Sequence, residues 1–242
     1  MKQKILDYTK ILANIKEVLK IIVKEVKELK EKYGDGRRTQ ILKKLKDISE
    51  KDLVQKKEVV VTITDKGYCK RMDVQSYREQ KRGGKGVIGS NLATGDFVKQ
   101  LIQCSTHDYL MFFTTRGRVL WLKAYDIPAA ERYSKGKALI NLLKLRDEHV
   151  TNVISVKNFE GHLFMATKKG VVKRISLKNF SKPRISGVKA VNLPADNSDN
   201  LISVQLVREG QEVLLVTRNG KAIRFNSGDV RAMGRASYGV TG

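Results

Sequence analysis

The sequence predicts a mainly β chain: a propeller-like array of units of about 50 residues, preceded by one long coiled-coil α-helix. Two patterns carry that expectation, a recurring strand–glycine turn–strand plan and an apolar heptad seam. In the first copy of the plan, residues 59–64 lead through Asp65-Lys66-Gly67 into Tyr68-Cys69-Lys70-Arg71. The plan returns as 110–115, Arg116-Gly117 and 118–122, and then as 163–167, Lys168-Lys169-Gly170 and 171–175. The fourth copy is 213–217, Arg218-Asn219-Gly220 and 221–225, where Asn-Gly is the strongest hairpin signal of the set. Turn glycines at 67, 117, 170 and 220 set the period at about 50 residues.

Each complete unit closes with a further apolar strand, at 97–104, 150–156 and 201–206. Between the hairpin and that strand lies a loop present in every unit. Nineteen residues after Gly67 stands Gly86-Val87-Ile88-Gly89, and nineteen after Gly220 stands Gly239-Val240-Thr241-Gly242. Counting the same way aligns Lys189-Ala190-Val191-Asn192 in the third unit and, two residues later, Ala138-Leu139-Ile140-Asn141 in the second.

The helix comes first in the chain. Ile5, Tyr8, Leu12, Ile15, Leu19, Ile22, Val26, Leu29 and Tyr33 recur in steps of three and four, an unbroken seam over about four heptads. Gly34-Asp35-Gly36 is expected to stop it, since glycine readily takes the left-handed C-cap conformation. A seam this long calls for a second helix, from another copy of the chain or from sequence upstream. The expected organisation is therefore a coiled-coil helix at 1–34, a basic connector at 35–57 in which Ile41, Leu45 and Ile48 suggest a short helix, and a β domain at 58–242. The chain starts inside a coiled-coil helix and stops inside its fourth unit, so a longer protein is expected at both ends.

Charge narrows the function. Against 25 Asp and Glu stand 48 Lys and Arg, a formal charge of +23, which calls for a polyanionic partner. Nucleic acid is the first candidate and an anionic membrane surface the alternative. No apolar run approaches the roughly 20 residues of a membrane span. Cys69 and Cys104 are too few for a disulfide framework or a CxxC zinc site, and His107, His149 and His162 lack metal-ligand spacing.

The cations fall beside the hairpin turns: Lys66, Lys70 and Arg71; Arg116 and Arg118; Lys168, Lys169, Lys173 and Arg174; Arg218, Lys221 and Arg224. In a radial array they would share one rim and form a curved track able to bend DNA through its phosphates. The loop of the first unit is the most basic: Gln80-Lys81-Arg82-Gly83-Gly84-Lys85-Gly86 puts three cations among three glycines, suited to gripping a polyanion without reading its sequence. It is not a Walker A loop, and no Ser/His/Asp arrangement, paired carboxylates or Asp-rich magnesium motif points to catalysis. A binding and wrapping module is expected, without catalytic or metal-ligating residues of its own; a propeller that binds acidic proteins is the competing class.

These features resemble one family over essentially the whole chain, the A subunits of bacterial DNA gyrase, type IIA topoisomerases. Ile11-Leu12-Ala13-Asn14 and Lys32-Tyr33-Gly34-Asp35-Gly36-Arg37-Arg38-Thr39 look like the end of that family's breakage–reunion region. Asp52-Leu53-Val54, residues 59–71 and Tyr77-Arg78 lead into residues 80–86, which match the family's heptapeptide box. Arg231-Ala232-Met233-Gly234-Arg235 with Gly239-Val240-Thr241-Gly242 match a later blade, so Arg231 and Arg235 join the expected DNA contacts. The resemblance implies a C-terminal β-pinwheel, normally of six blades, that wraps double-stranded DNA and enables ATP-dependent negative supercoiling. It further implies an A2B2 holoenzyme in the bacterial cytoplasm, at the nucleoid, with ATP and Mg held by the gyrase B subunits. The family's catalytic tyrosine is missing from this chain. Topoisomerase IV subunits, whose box is degraded, are the nearer alternative; the intact box favours gyrase. The basic connector at 43–57 departs from the often acidic connector of the family.

Overall fold

The computed structural model describes residues 1–39, 41, 53–76 and 94–242. It divides into two compact units, Met1–Ile48 and Ser49–Gly242.

In the first unit the helix is interrupted. Helix α1 spans Lys2–Ala13 and α2 spans Ile15–Tyr33, with Asn14 between them in an extended conformation (φ −130°, ψ 106°). The Asn14 carboxamide oxygen accepts the Lys16 N–H at 3.1 Å, so Asn14 N-caps α2, a role in which asparagine is among the preferred residues. At the other end Gly34 is extended (φ −72°, ψ 120°) and not left-handed as expected, its N–H donating to Lys30 O. The expectation of one unbroken helix is thus corrected by a polar residue that satisfies the backbone better as a cap than within a turn. The seam residues lie on both helices and stay exposed, from Ile22 at 48 % to Leu12 at 81 %.

The second unit is built from antiparallel four-stranded sheets. Its strands are β1 (Glu58–Thr64), β2 (Tyr68–Asp73), β3 (Val98–Ser105), β4 (Tyr109–Thr114), β5 (Arg118–Lys123), β6 (Lys137–Ala138) and β7 (Val150–Val156). They continue as β8 (His162–Thr167), β9 (Val171–Ser176), β10 (Val188–Lys189), β11 (Leu201–Val207), β12 (Glu212–Val216), β13 (Ala222–Asn226) and β14 (Val240–Thr241). Spatial order is β3-β1-β2-β6, then β7-β4-β5-β10, then β11-β8-β9-β14, with β12-β13 as a fourth hairpin. The expected closing strand of each unit pairs beside the first strand. The fourth strand of each of the three four-stranded sheets is supplied by the next unit in the chain, so successive blades are stitched together by strand exchange.

The exchanged strands also correct the register read from the sequence. Lys137 pairs with Cys69, Val188 with Val119 and Val240 with Val172, in each case the second residue past the turn glycine. The equivalent segments are therefore Gly136-Lys137-Ala138, Gly187-Val188-Lys189 and Gly239-Val240-Thr241, two residues earlier than counted in the second and third units. Packing fixes this: a Cβ on Gly136, Gly187 or Gly239 would stand 2.4, 2.7 or 2.5 Å from the carbonyl oxygen of Cys69, Val119 or Val172. All three glycines also have positive φ.

Hairpins repeat in atomic detail. Thr64, Thr114 and Thr167 end the first strands and Thr217 directly follows β12, and each hydroxyl accepts the backbone N–H four residues on, at 3.1–3.2 Å. Each threonine carbonyl accepts the N–H of the turn glycine. The cores lie between blades. Alternation along β4 sends Leu110 and Phe112 into the core shared with the first blade, and Met111 and Phe113 into the core shared with the third. The third strands adjoin one another: the Gln100 carboxamide donates to Val153 O and accepts from Val153 N, and Asn152 Oδ1 accepts from Val204 N. With β3, β7 and β11 side by side, the exchanged strands form the outer edge of each sheet.

Candidate nucleic-acid interface

The outer edge starts with the chain that leads into each exchanged strand. Residue 129 lies beside Arg71 and Ala232 beside Arg174, each through a parallel bridge. The arm then runs outside the second strand of the preceding blade, turns, and enters β6 or β14. Within the arm a tight turn recurs. Ser134 N–H donates to Glu131 O at 3.1 Å, and Ser237 N–H donates to Gly234 O at 3.3 Å. The two turns place Arg132 and Arg235 at the same position, four residues before Gly136 and Gly239.

One buried ammonium anchors each of these turns. Lys70 is 2 % exposed, and its Nζ donates to the carbonyls of Arg132 at 2.5 Å, Ser134 at 3.1 Å and Glu131 at 3.4 Å. Lys173 is 1 % exposed and donates to Ala190 O at 2.7 Å and to Arg235 O and Ser237 O at 2.9 Å. Burial pushes the Lys173 ammonium down to about 8 and moves Lys70 in the same direction. Expected as surface contacts to DNA, these two lysines are corrected to interior groups, because their donors are spent on backbone carbonyls, all of them in the next unit for Lys70 and two of three for Lys173. In the second and fourth units the same position holds Leu120 and Ile223. There Arg118 ties down the arm of the third unit instead, donating to Ser186 O at 2.8 Å.

The other hairpin cations divide into held and open groups. Arg118 forms a 2.7 Å ion pair with Glu148, whose other oxygen accepts the Thr114 hydroxyl at 2.7 Å. Arg71 donates through Nε to Ile127 O, and Arg174 through Nη1 to Ser227 O. Lys66 Nζ reaches Thr94 O at 2.7 Å, and Arg224 lies 3.5 Å from Glu212 across the β12–β13 hairpin. Lys168, Lys169, Arg218, Lys221, Arg231 and Arg235 are exposed, Arg116 is half-buried, and none makes a side-chain hydrogen bond or ion pair among the described residues. Residues 80–86 lie outside the described residues. Their sequence register is nevertheless informative: Gly86 follows Gly67 by nineteen, as Gly136 follows Gly117 and Gly239 follows Gly220. Arg82 thereby shares its column with Arg132 and Arg235, and Lys85 with Lys135.

Sequence reasoning missed the arm cations Arg132, Lys135, Lys182 and Arg184, which the glycine register would have found had it been counted backward from 136 and 187. Lys135 Nζ sits 4.0 Å from the Tyr68 ring centre, a cation–π contact that holds it at the outer edge. Missed as well were the acids that brace the hairpins. Asp199 is fully buried; its Oδ1 accepts from Lys169 N and Asn200 N, and its Oδ2 accepts from Tyr238 OH at 2.8 Å. Burial raises its carboxyl pKa, but hydrogen bonds from Thr167, Tyr238 and the two amides outweigh burial and hold it below the usual carboxylate value. Asp96 has the same role beside Lys66 and Phe97.

Strand-exchanged four-stranded blades repeated along the chain define a β-propeller-type array. The family model of the DNA gyrase C-terminal domain, a β-propeller, matches residues 58–105, 108–157, 161–208 and 211–242. The chain belongs to that family. It is 41 % identical over 247 residues to the DNA gyrase A subunit of Staphylococcus epidermidis, covering 98 % of this chain and 27 % of that protein. The gyrase A subunit of Mycobacterium leprae is 44 % identical over 243 residues, covering 98 % of this chain and 19 % of its own. The chain thus spans about a quarter of the length of such relatives. Among solved structures, the C-terminal domain of DNA topoisomerase IV aligns with TM-score 0.65 and 30 % identity, over 78 % of this chain and 58 % of that one. A DNA gyrase A C-terminal domain aligns with TM-score 0.61 and 29 % identity, over 77 % and 60 %. The β-pinwheel expected from the sequence is the fold these neighbours share.

Proposed function

We propose that this chain is the DNA-binding and DNA-wrapping part of a gyrase A protein, serving ATP-dependent negative supercoiling by a holoenzyme of two A and two B subunits. The single observation that carries it is the repetition of one cationic arm at the outer edge of successive blades, in register with the box at residues 80–86. Phosphates are the natural ligand of such a track, and bending DNA along it costs roughly 1–6 kcal/mol per 20–30 bp, which several phosphate contacts offset. Nothing in the reading requires base recognition. In the same reading ATP and Mg belong to the B subunits, the chain carries no catalytic tyrosine, and the holoenzyme works at the bacterial nucleoid. No helix among the described residues is long and apolar enough to cross a membrane.

The test is topological. A nicked plasmid sealed on the protein should acquire a linking-number shift of one sign, with an affinity that falls about 10³–10⁵-fold between 50 and 200 mM salt if six to ten phosphates are neutralised. Alanine at Lys81, Arg82 and Lys85 together should remove the shift. A triple variant that wraps as well as the parent overturns the role of the box, and salt-insensitive failure to retard any duplex overturns the DNA reading altogether. Binding with no shift would place the chain with the topoisomerase IV alternative.

A further inference from the structure

The lysine anchors have a consequence for the backbone they hold. A trans peptide directs its C=O and N–H in opposite directions, and the described peptides include no cis bond. Carbonyls of residues 131, 132 and 134 converge on Lys70, so the N–H groups of Arg132, Tyr133 and Lys135 face away from it. Carbonyls of Arg235 and Ser237 converge on Lys173, so the N–H groups of Ala236 and Tyr238 do likewise. None of these five N–H groups has a hydrogen-bond partner among the described residues. In both arms they cluster around a tight turn with an arginine at its second position, Arg132 or Arg235. Outward N–H groups clustered with a cation form a concave anion site of the kind phosphates occupy.

We propose that the turns 131–135 and 234–238 are phosphate-binding sites for the DNA backbone, built from main-chain N–H groups plus Arg132 or Arg235, and that Lys70 and Lys173 are the positioning residues that turn those groups outward. The proposal rests on the DNA reading above and adds the atoms that bind. It separates two roles that one-dimensional charge counting merges: the buried lysine never meets the phosphate, and the arginine beside it does. The two sites are unequal. Glu131 puts a carboxylate beside the first, where the second has Gly234. Arg132 is also engaged with Ser76 O, whereas Arg235 makes no side-chain hydrogen bond or ion pair among the described residues. The second site is therefore the stronger. The arm of the third unit, opposite Leu120, has no lysine anchor and carries no such site.

Amide NMR of the full chain tests this, with inorganic phosphate and a 20-bp duplex as separate probes. Both should shift the amides of Ala236 and Tyr238 most, and those of Arg132, Tyr133 and Lys135 next. Glu131→Gln should bring the first site level with the second. Lys173→Met should remove the response at 236 and 238, keep the response to duplex at Lys168 and Lys169, and weaken duplex binding about tenfold. Duplex binding that leaves the arm amides unmoved overturns the proposal, while the DNA reading stands. A phosphate response at the arms with no duplex binding leaves two anion sites but overturns the DNA reading and, with it, their assignment to the DNA backbone. The wild-type shifts decide the matter even if the Lys173 variant fails to fold.

Discussion

Asp199 joins three parts of one blade: the Lys169 turn, the start of β11 and Tyr238 of the following unit. Its folded-state pKa is depressed, so the stability it supplies is complete above the unfolded value, about 3.9, and is lost as pH falls through the lower folded value. Asp199→Asn should cost about 1–3 kcal/mol at neutral pH, since buried donors lose an acceptor, and should flatten the acid limb of a stability–pH curve measured by urea melts. A limb of unchanged steepness would assign acid sensitivity to other carboxylates. At this scale the sequence was half legible. The column Lys70, Leu120, Lys173, Ile223 alternates cation with apolar residue, and its first three members are buried while Ile223 is 51 % exposed. Read singly, each lysine looks like a hairpin surface charge, because a strand pattern of four or five residues does not show which face the next unit will cover.

Among the elements, hairpins were fully legible and exchanged strands were not. A hairpin declares itself through strand-forming residues around a turn glycine. An exchanged strand has two residues, too few for period-two alternation to register, so only its preceding glycine marks it. That glycine is where the element breaks. Gly187 has φ +72°, and an added Cβ would meet Val119 O at 2.7 Å and Leu120 Cγ at 3.1 Å. Gly187→Ala should destabilise by about 2 kcal/mol or more, combining left-handed strain with displacement of β10 from β5. A denaturant midpoint within error of the parent would show that the arm can relax without cost. Asn14 illustrates the opposite limit: its apolar neighbours keep heptad spacing on both sides, so periodicity alone conceals the cap that splits the helix.

For the whole molecule, strand exchange makes each blade depend on its chain successor. The first sheet is completed by β6 of the second unit, the second by β10 of the third, and the third by β14 of the fourth. Coupling therefore runs between neighbours, and damage should travel one blade toward the N-terminus and stop, as in other quasi-one-dimensional arrays. Gly239 offers a clean place to test this, because its substitution touches only β9: an added Cβ would meet Val172 O at 2.5 Å and Val171 Cγ1 at 2.7 Å. Gly239→Ala should expel β14 and with it the Tyr238–Asp199 bond and the carbonyls that occupy Lys173. Hydrogen exchange of the full chain should then speed up in β9 and in the turn 234–238. Protection in β1, β2, β4 and β5 should stay at the parent level, since their outer strands come from the second and third units. Loss of protection in all blades together would mean that the array unfolds as one cooperative body and that exchanged strands do not set its joints.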